Sequence, residues 1–334
     1  MDSDEIRKRF IEFFIKRNHK LVSSSSLLPT DPSVLLTTAG MQQFKEYYTG
    51  KNALKDFGSK RLVSIQKCFR TSEINSVGDE SHLTFFEMLG NFSFNDYFKE
   101  ESIKWAYEFI KSLGVTDKRI HFSYFDGDSE IDEDRESYEV LKKLSVKIMG
   151  SGREDNFWGP TGLEGPCGPT VEIYVDNIEV WNLVFNEYYK DKDGKFSLLD
   201  NKGVDTGMGL ERLTMVINNK KNVFDTDLFK NLIDNIKVGD LRIKRIIADH
   251  IRGSVFLISD KIRPSNVEHG YILRRLLRRI ITYSKLYNIK DIESLFSTTF
   301  DFYKKYYMNL DKKEILKVFE EEKNKFEKSL DKGL

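Results

Sequence analysis

Apolar residues recur at helical spacing from the start of the chain: Ile6, Phe10, Phe13 and Phe14 line one side of residues 3–18, and Ser3 stands where an N-cap would. The pattern then breaks. SSSSLLPTDPS is a loop with two prolines, and VLLTTAGMQQF reads as a short apolar strand ending at Gly40 and a turn. RLVSIQKCFR (61–70) and LTFFEMLGNFSF (83–94) are β-rich runs around the polar segment TSEINSVGDESH, which predicts a long hairpin. ESIKWAYEFIKSLG (101–114) predicts a helix closed by glycine, RIHFSYFDGD a strand and turn, and ESYEVLKKLS a helix. NFWGPTGLEGPCGPTVEIYVD (156–176) predicts a Gly/Pro loop running into a strand, and VWNLVFNEYYK (180–190) another strand. GVDTGMGLERLTMVIN predicts a strand end, a turn and a helix. From about residue 223 the period is helical throughout, with Pro264 breaking it once. The last stretch puts Ile315, Val318, Phe319, Phe326 and Leu330 on one side of a charged helix.

Strands joined by hairpins, then a run of helices, argue an α+β fold: an antiparallel sheet flanked by helices, followed by an all-helical domain. Regular β-α-β alternation is missing, which argues against a Rossmann sheet. The expected division is 1–225 and 226–334. With 40 % hydrophobic and 13 % aromatic residues, the chain carries enough for a sizeable core and is not disordered in composition. No apolar run reaches bilayer length, and the charged start MDSDEIRKRF is not a signal peptide, so a cytoplasmic protein away from membranes is expected. Cys68 and Cys167 are the only cysteines and the histidines are scattered, so no zinc is expected. Net charge is zero but uneven. Residues 242–285 hold eleven Lys/Arg against three acids, which points to an anionic partner at one place.

The chemistry concentrates in a few stretches. In GVDTGMGLERL (203–213) a carboxylate, Asp205, precedes Gly207, Gly209 and Arg212 at a helix start. A Gly-rich turn opening a helix often serves a phosphate, but this is neither GxGxxG nor a P-loop. Arg70, at a strand end, could hold a phosphate through two parallel hydrogen bonds, and Arg212 could do the same or stack on a base; read alone, a surface ion pair is the default for each. Asp205 is open to two readings, a turn cap or an acceptor for a small ammonium group. Trp158 and Trp181, beside Gly/Pro loops and the polar Asn182, are either core or a pocket wall. LRRLLRRI (273–280) sets paired arginines against leucines, an apolar face inward and a basic face outward, and the surrounding surplus of positive charge favours nucleic acid.

Together these strings resemble the alanyl-tRNA synthetases, a family of class II aminoacyl-tRNA synthetases. SSSLLPTDPSVLLTTAGMQQF is similar to the first family motif, QKCFR with HLTFFEMLGNFSFNDYFK to the second, and GVDTGMGLERL to the third. NFW, GPCGP, WNLVF, IADHIR and the RPSN–GY–LRR stretch (263–275) also match, and the resemblance runs from about residue 5 onward. It implies a class II sheet that binds a bent ATP. By resemblance, Arg70 holds the α-phosphate and Arg212 covers the adenine or meets the γ-phosphate, these two being the catalytic pair. Gly207 and Gly209 let backbone approach the nucleotide, with Trp158, Val180 and Trp181 around it. Glu87 orients nucleotide or Mg²⁺, which arrives with ATP rather than on a side-chain cluster. Asp205 and Asn182 receive L-alanine beside Met41 and Trp158. Asn266 reads the acceptor stem of tRNA(Ala), and Arg274, Arg275, Arg278 and Arg279 follow its backbone.

The implied activity is that of an alanine–tRNA ligase: alanyl-adenylate forms from alanine and ATP, then passes to the 3′ end of tRNA(Ala). The chain departs from the family pattern in three places. Thr71, Ser72 and Glu73 replace a usual Ala-Gly-Gly, Leu83 replaces a histidine, and Thr170 a cysteine. The family's editing domain and C-terminal oligomerising region have no counterpart in these residues, so no editing activity in this chain, some activation of glycine and serine, and a monomer are expected. Two other readings stay open: a synthetase-like paralogue that activates an amino acid without charging tRNA, and a non-catalytic RNA-binding module.

Overall fold

The computed structural model describes residues 1–31, 33–160 and 162–333, with side chains to residue 329. In chain order the elements are α1 (Ser3–Ile15), β1 (Lys20–Leu21), a 3-10 stretch (Gly40–Tyr48), α2 (Ala53–Phe57), β2 (Arg61–Phe69) and β3 (Phe85–Phe94). Then come α3 (Lys99–Ser112), β4 (Ile120–Phe125), α4 (Arg135–Leu141), β5 (Lys147–Ser151), α5 (Arg153–Asn156), β6 (Phe157–Trp158), β7 (Gly165–Val175), β8 (Ile178–Lys190) and β9 (Phe196–Gly209). Helices follow: α6 (Leu210–Ile217), α7 (Asp227–Asn235), α8 (Leu241–Ser259), α9 (Glu268–Leu286), α10 (Ile292–Tyr303) and α11 (Lys312–Gly333). The chain divides into two compact units, Met1–Ser25 with Ala39–Gln66 and Glu87–Asn219, and Ser26–Thr38 with Lys67–Phe86 and Lys220–Leu334.

The first unit is built on the sheet, whose strand order is β1-β2-β3-β9-β8-β7-β4-β5, with β6 beside β7. The central pairs β3–β9, β9–β8, β8–β7 and β7–β4 are antiparallel; β1–β2 and β4–β5, at the edges, are parallel. Period-two alternation sorts the side chains between two faces. Trp181, Leu183, Thr206 and Met208 point to one face and are fully buried. There Phe10 and Phe14 of α1 and Phe109 of α3 meet the Trp181 ring edge-on, with centroids 5.7–6.3 Å apart. Asp205, Gly207 and Gly209 point to the other face, with Asn182 and Val184 beside them in register.

The α+β class expected from the sequence is what forms. The differences are local. Residues 34–39 form no strand; Gly40 instead opens the 3-10 stretch that sends Met41, Phe44 and Tyr48 into an apolar cluster with Leu62, Phe92 and Phe94. The cap of α1 is Asp2, whose carboxylate accepts the Glu5 N–H, and Ser3 is the first helical residue. No turn separates β9 from α6, because Gly209 both ends the strand and caps the helix. Leu330 lies outside the residues with described side chains.

The second unit packs helices around Phe85 and Phe256, stacked at 4.0 Å, and around Arg252, fully buried against the rings of Phe85, Phe229 and Tyr303. Lys67 and Asp260 form a buried ion pair at 2.7 Å, and Asp260 also accepts the Leu27 N–H at 2.6 Å and the Asn309 amide at 2.8 Å. These extra bonds let a buried pair repay its desolvation. Among the described residues no helix is long and apolar enough to cross a membrane.

Gly168 is where β7 and β8 come too close for a side chain: a Cβ there would stand 1.8 Å from the Phe185 carbonyl oxygen. Backbone cannot give way as a side-chain tip can. Gly168→Ala is expected to lower stability by about 3 kcal/mol or more in a urea melt, and a variant melting like the parent would contradict this packing.

Candidate active site on one face of the sheet

Asp205 is the anomaly of the first unit. It sits in the middle of β9, opposite Val184 of β8, and is 6 % exposed. No described residue gives its carboxylate a hydrogen bond or an ion pair. Burial alone lifts its pKa from 3.8 to about 7. A carboxylate held this way is a strong acceptor for a small cation that brings its own donors.

Asn182 lies one register step away, opposite Gly207. Its Nδ2 donates to Glu172 Oε1 at 3.2 Å. A carboxylate only accepts, so this contact fixes the amide's orientation. The Asn182 Oδ1 is left buried and without a partner. Glu172 is itself held by the Tyr174 hydroxyl at 2.5 Å and the Ser123 hydroxyl at 3.3 Å, and burial raises its pKa. Asp205 and Asn182 thus offer two acceptors on one face, and an ammonium supplies donors that neither finds in the protein.

An apolar cluster that includes Phe92 and Phe94 of β3 lies beside β9. Met41 lies in the cluster of Phe44, Tyr48, Phe92 and Phe94, and Trp158, paired across from Gly168 of β7, packs against it. Tyr48 donates to the Val204 carbonyl at 2.9 Å, so the 3-10 stretch is pinned to β9 beside Asp205. Gly207 has a protein reason to lack a side chain: its Cβ would stand 2.8 Å from Met88 Sδ. Gly209 differs. Its φ of −68° suits any residue, and the nearest atom to a Cβ there is the Cβ of Arg212, at 3.9 Å. Glycine at 209 leaves an open strip of backbone with Arg212 at its border. Arg212 donates to the Glu179 carbonyl at 3.0 Å and lies 3.2 Å from its carboxylate, but its side chain is 42 % exposed. A surface pair of this kind holds the guanidinium weakly.

Two expected members of the site point elsewhere. Glu87 is fully buried and paired with Arg7 of α1 through both carboxylate oxygens. Its neighbour Met88 takes the face of Gly207, so alternation turns Glu87 to the helix-covered side, where its carboxylate is already neutralised. Trp181 also faces the helices, under Phe10, Phe14 and Phe109. Val180 is buried two residues before Asn182 on β8. Sequence reasoning missed Val184, directly across from Asp205, although alternation from Asn182 along WNLVF would have found it. It also missed Glu172, which carries no local motif. Among the described residues no three His, Cys, Asp or Glu side chains group as a metal site.

In the second unit, Arg70 is exposed, its guanidinium 4.9 Å from the Phe86 ring, and its backbone N–H donates to the Thr84 carbonyl at 2.8 Å. On α9, Leu273, Leu276, Leu277 and Ile280 are buried and the four arginines between them are half-buried. These arginines line a cavity of about 350 Å³ with Tyr271, Thr282 and Tyr283. Their charges are not equivalent. Arg274 bonds Asn266, Arg275 bonds Asn75 at 2.7 Å, and Arg278 pairs with Glu322 at 2.7 Å. Arg279 instead bonds His250 at 2.9 Å.

A family model described as tRNA synthetases class II (A) matches residues 5–334. The chain is 44 % identical over 320 residues to an alanine–tRNA ligase of Rubrobacter xylanophilus, which takes in 84 % of this chain and 36 % of that one. It is 40 % identical over 374 residues to an alanine–tRNA ligase of Borrelia hermsii, covering 100 % of this chain and 63 % of that one. A Petrotoga mobilis protein of the same name is 41 % identical, with 99 % of this chain and 42 % of that one covered. The chain therefore spans about a third to two thirds of the length of these relatives.

The unpaired carboxylate has a stability signature. Asp205 ionises at 3.8 in the unfolded chain and near 7 when folded. Between those values the folded state holds the extra proton, so stability falls as pH rises from about 4 to about 7 and stays low above it. Asp205→Asn removes this penalty. At pH 8, without ligand, it is expected to be more stable than the parent, by roughly 4 kcal/mol at most. At pH 4 the two should coincide. Equal melting temperatures at pH 8 would rule out a desolvated, unpaired Asp205.

Proposed function

The chain belongs to the class II tRNA synthetases (A), and from that premise we propose that it activates L-alanine with ATP and passes the alanyl group to the 3′ end of tRNA(Ala). The observation that carries the reading is the buried, unpaired carboxylate of Asp205 beside the unpaired Asn182 Oδ1. An α-ammonium satisfies both. Val184, opposite Asp205 in register, is an apolar neighbour for a small side chain, and Met41 and Trp158 are assigned beside it by the family resemblance.

In the first step an alanine carboxylate oxygen bonds to the α-phosphorus, the bond from that phosphorus to the bridging oxygen breaks, and pyrophosphate leaves. In the second, a terminal ribose hydroxyl of the tRNA attacks the alanyl carbonyl carbon, the bond from that carbon to the phosphate oxygen of the mixed anhydride breaks, AMP leaves with its electron pair, and the hydroxyl proton passes to the departing phosphate or to water. Neither step needs a protein nucleophile. Positioning and neutralisation of developing negative charge carry the catalysis. Asp205 and Asn182 hold the ammonium, and Arg212 meets the adenine or the γ-phosphate along the strip left open at Gly209; the α-phosphate is assigned to Arg70 by the family resemblance alone. Mg²⁺ would arrive with the nucleotide and neutralise charge on its phosphates; Glu87 is committed to Arg7. Residues 1–225 are assigned adenylation. Residues 226–334 are assigned the tRNA acceptor stem, through Asn266 and the arginines of α9. The work is that of a cytoplasmic enzyme, where tRNA and ATP meet.

The test is alanine-dependent ATP–pyrophosphate exchange, run with and without tRNA. Exchange with charging is expected. Exchange without charging would favour an activating paralogue, and no exchange a binding module. Discrimination against glycine at this step should be modest, about 10–200-fold, since one methyl is all that differs. Arg212→Ala should lower kcat for exchange by about 10²–10³-fold.

A pH profile isolates Asp205. The ammonium binds the ionised carboxylate, and in the free enzyme that carboxylate is protonated below about 7. The apparent KM for alanine should therefore fall about tenfold per pH unit up to that point and level off above it. Asp205→Asn should raise the KM and flatten the profile. A flat profile in the parent would remove Asp205 from the amino-acid site.

A further inference from the structure

His250, at the centre of α8, is fully buried, and nothing in the two-step chemistry uses it. Its surroundings define its proton. The Arg279 Nε–H can only donate, and it reaches His250 Nε2 at 2.9 Å. That nitrogen must carry the lone pair, so the proton sits on Nδ1 and is donated to Asp249 Oδ2 at 2.9 Å. Asp249, 1 % exposed, in turn accepts the Thr84 N–H at 2.8 Å and the Thr84 hydroxyl at 2.7 Å. A continuous chain of hydrogen bonds thus runs from the backbone of Thr84, through two buried side chains, to a guanidinium on the basic face of α9. The Thr84 end is fixed as well: its carbonyl accepts the Arg70 N–H, and its hydroxyl lies against Gly253, where a Cβ would stand 3.1 Å away.

The chain sets Arg279 apart from its neighbours. Arg278 is neutralised by the Glu322 carboxylate. Arg279 is anchored by an uncharged imidazole through Nε alone. Its full positive charge is kept, and both terminal nitrogens are left for another acceptor at the cavity it shares with Tyr271, Arg275 and Tyr283. A guanidinium held from behind, with its planar fork presented, suits two oxygens of one phosphate. Orientation fixed in advance lowers the entropy lost when the phosphate arrives.

We propose that His250 is a positioning residue for RNA binding: it orients Arg279 as a preset receptor for one phosphodiester of the tRNA acceptor stem. This rests on the tRNA reading above and adds to it a buried residue that touches no RNA.

The experiment measures tRNA(Ala) binding to the full chain across salt concentrations, for the parent and for His250→Asn, His250→Gln, Arg279→Ala and the His250→Asn/Arg279→Ala double variant. Asparagine still reaches Asp249 but falls short of Arg279. Glutamine can donate to Asp249 and accept from Arg279, as the imidazole does. His250→Asn should weaken binding by about tenfold at low salt and reduce the salt slope by about one, as Arg279→Ala does. The double variant should lose no more than either single one, because both remove the same contact. His250→Gln should restore affinity and slope. Parent-like binding by His250→Asn, equal losses in the asparagine and glutamine variants, or additive losses in the double variant would each overturn the proposal while leaving tRNA recognition intact. A parent chain whose tRNA binding ignores salt would remove the tRNA reading and this proposal with it. Thermal melts accompany each variant; if His250→Asn fails to fold, the failure of Arg279→Ala to change the slope overturns the proposal by itself.

Discussion

A carboxylate kept out of water with nothing to balance it is a cost that a fold normally avoids, and Asp205 bears it in the middle of a strand. The rest of the first unit is arranged around that fact. Alternation along β9 sends Val204, Thr206 and Met208 into a fully buried layer and leaves Asp205, Gly207 and Gly209 on the opposite face. The side chains that could have approached the carboxylate are committed elsewhere. Tyr48 spends its hydroxyl on the Val204 carbonyl, and Asn182 spends its amide nitrogen on Glu172. The site is defined as much by what its neighbours are prevented from doing as by what they offer.

The contrast with other buried charges makes this more than an accident of burial. Lys99 meets both Asp134 and Glu187 at 2.7–2.8 Å. Arg7 pairs with Glu87, and Lys67 with Asp260. Removing one partner from such a pair would strand the other at a cost of several kcal/mol. The fold thus supplies partners for buried charge in both units and withholds one from Asp205. On the proposed reading, an external ammonium would be to Asp205 what Arg7 is to Glu87.

Much of this was legible in the sequence, for reasons that can be named. The helices of the second unit follow from unbroken 3.6-residue periodicity, and LRRLLRRI showed its buried and basic faces directly because pairs of one kind alternate with pairs of the other. The central strands were legible as β-branched and aromatic runs. Residues 34–39 were not, because an apolar run that short does not distinguish a strand from an extended segment; the turn at Gly40 and the packing of Phe44 decided it. Asp205, Asn182, Met41 and Trp158 stood out through their motifs and share one face or its apolar border. Glu87 and Trp181 sat in equally distinctive strings but face the other way. A motif gives the neighbourhood of a site, whereas the parity of a residue along its strand gives the side of the sheet. Trp181 and Asn182 differ by a single step, and that step separates core from site. Glu172 was invisible because its importance lies in a cross-strand hydrogen bond, which no local string records.

The same distinction between having a charge and having it available governs the second unit. The surplus of positive charge between residues 242 and 285 suggested a uniform basic surface. Individual environments divide it. Arg252 is wholly buried among three aromatic rings and contributes to the core. Arg263 and Arg278 have carboxylate partners in Glu314 and Glu322. Arg274 and Arg275 are bonded to neutral amides, which orient them without cancelling their charge. Arg279 is held by a neutral ring whose own proton is committed to Asp249. On the proposed tRNA reading, counterion release would count charges that meet phosphates, so Arg274, Arg275 and Arg279 would weigh more in binding than Arg252, Arg263 and Arg278. Composition points to an anionic partner; the hydrogen bonds behind each cation decide how many of those charges such a partner could use.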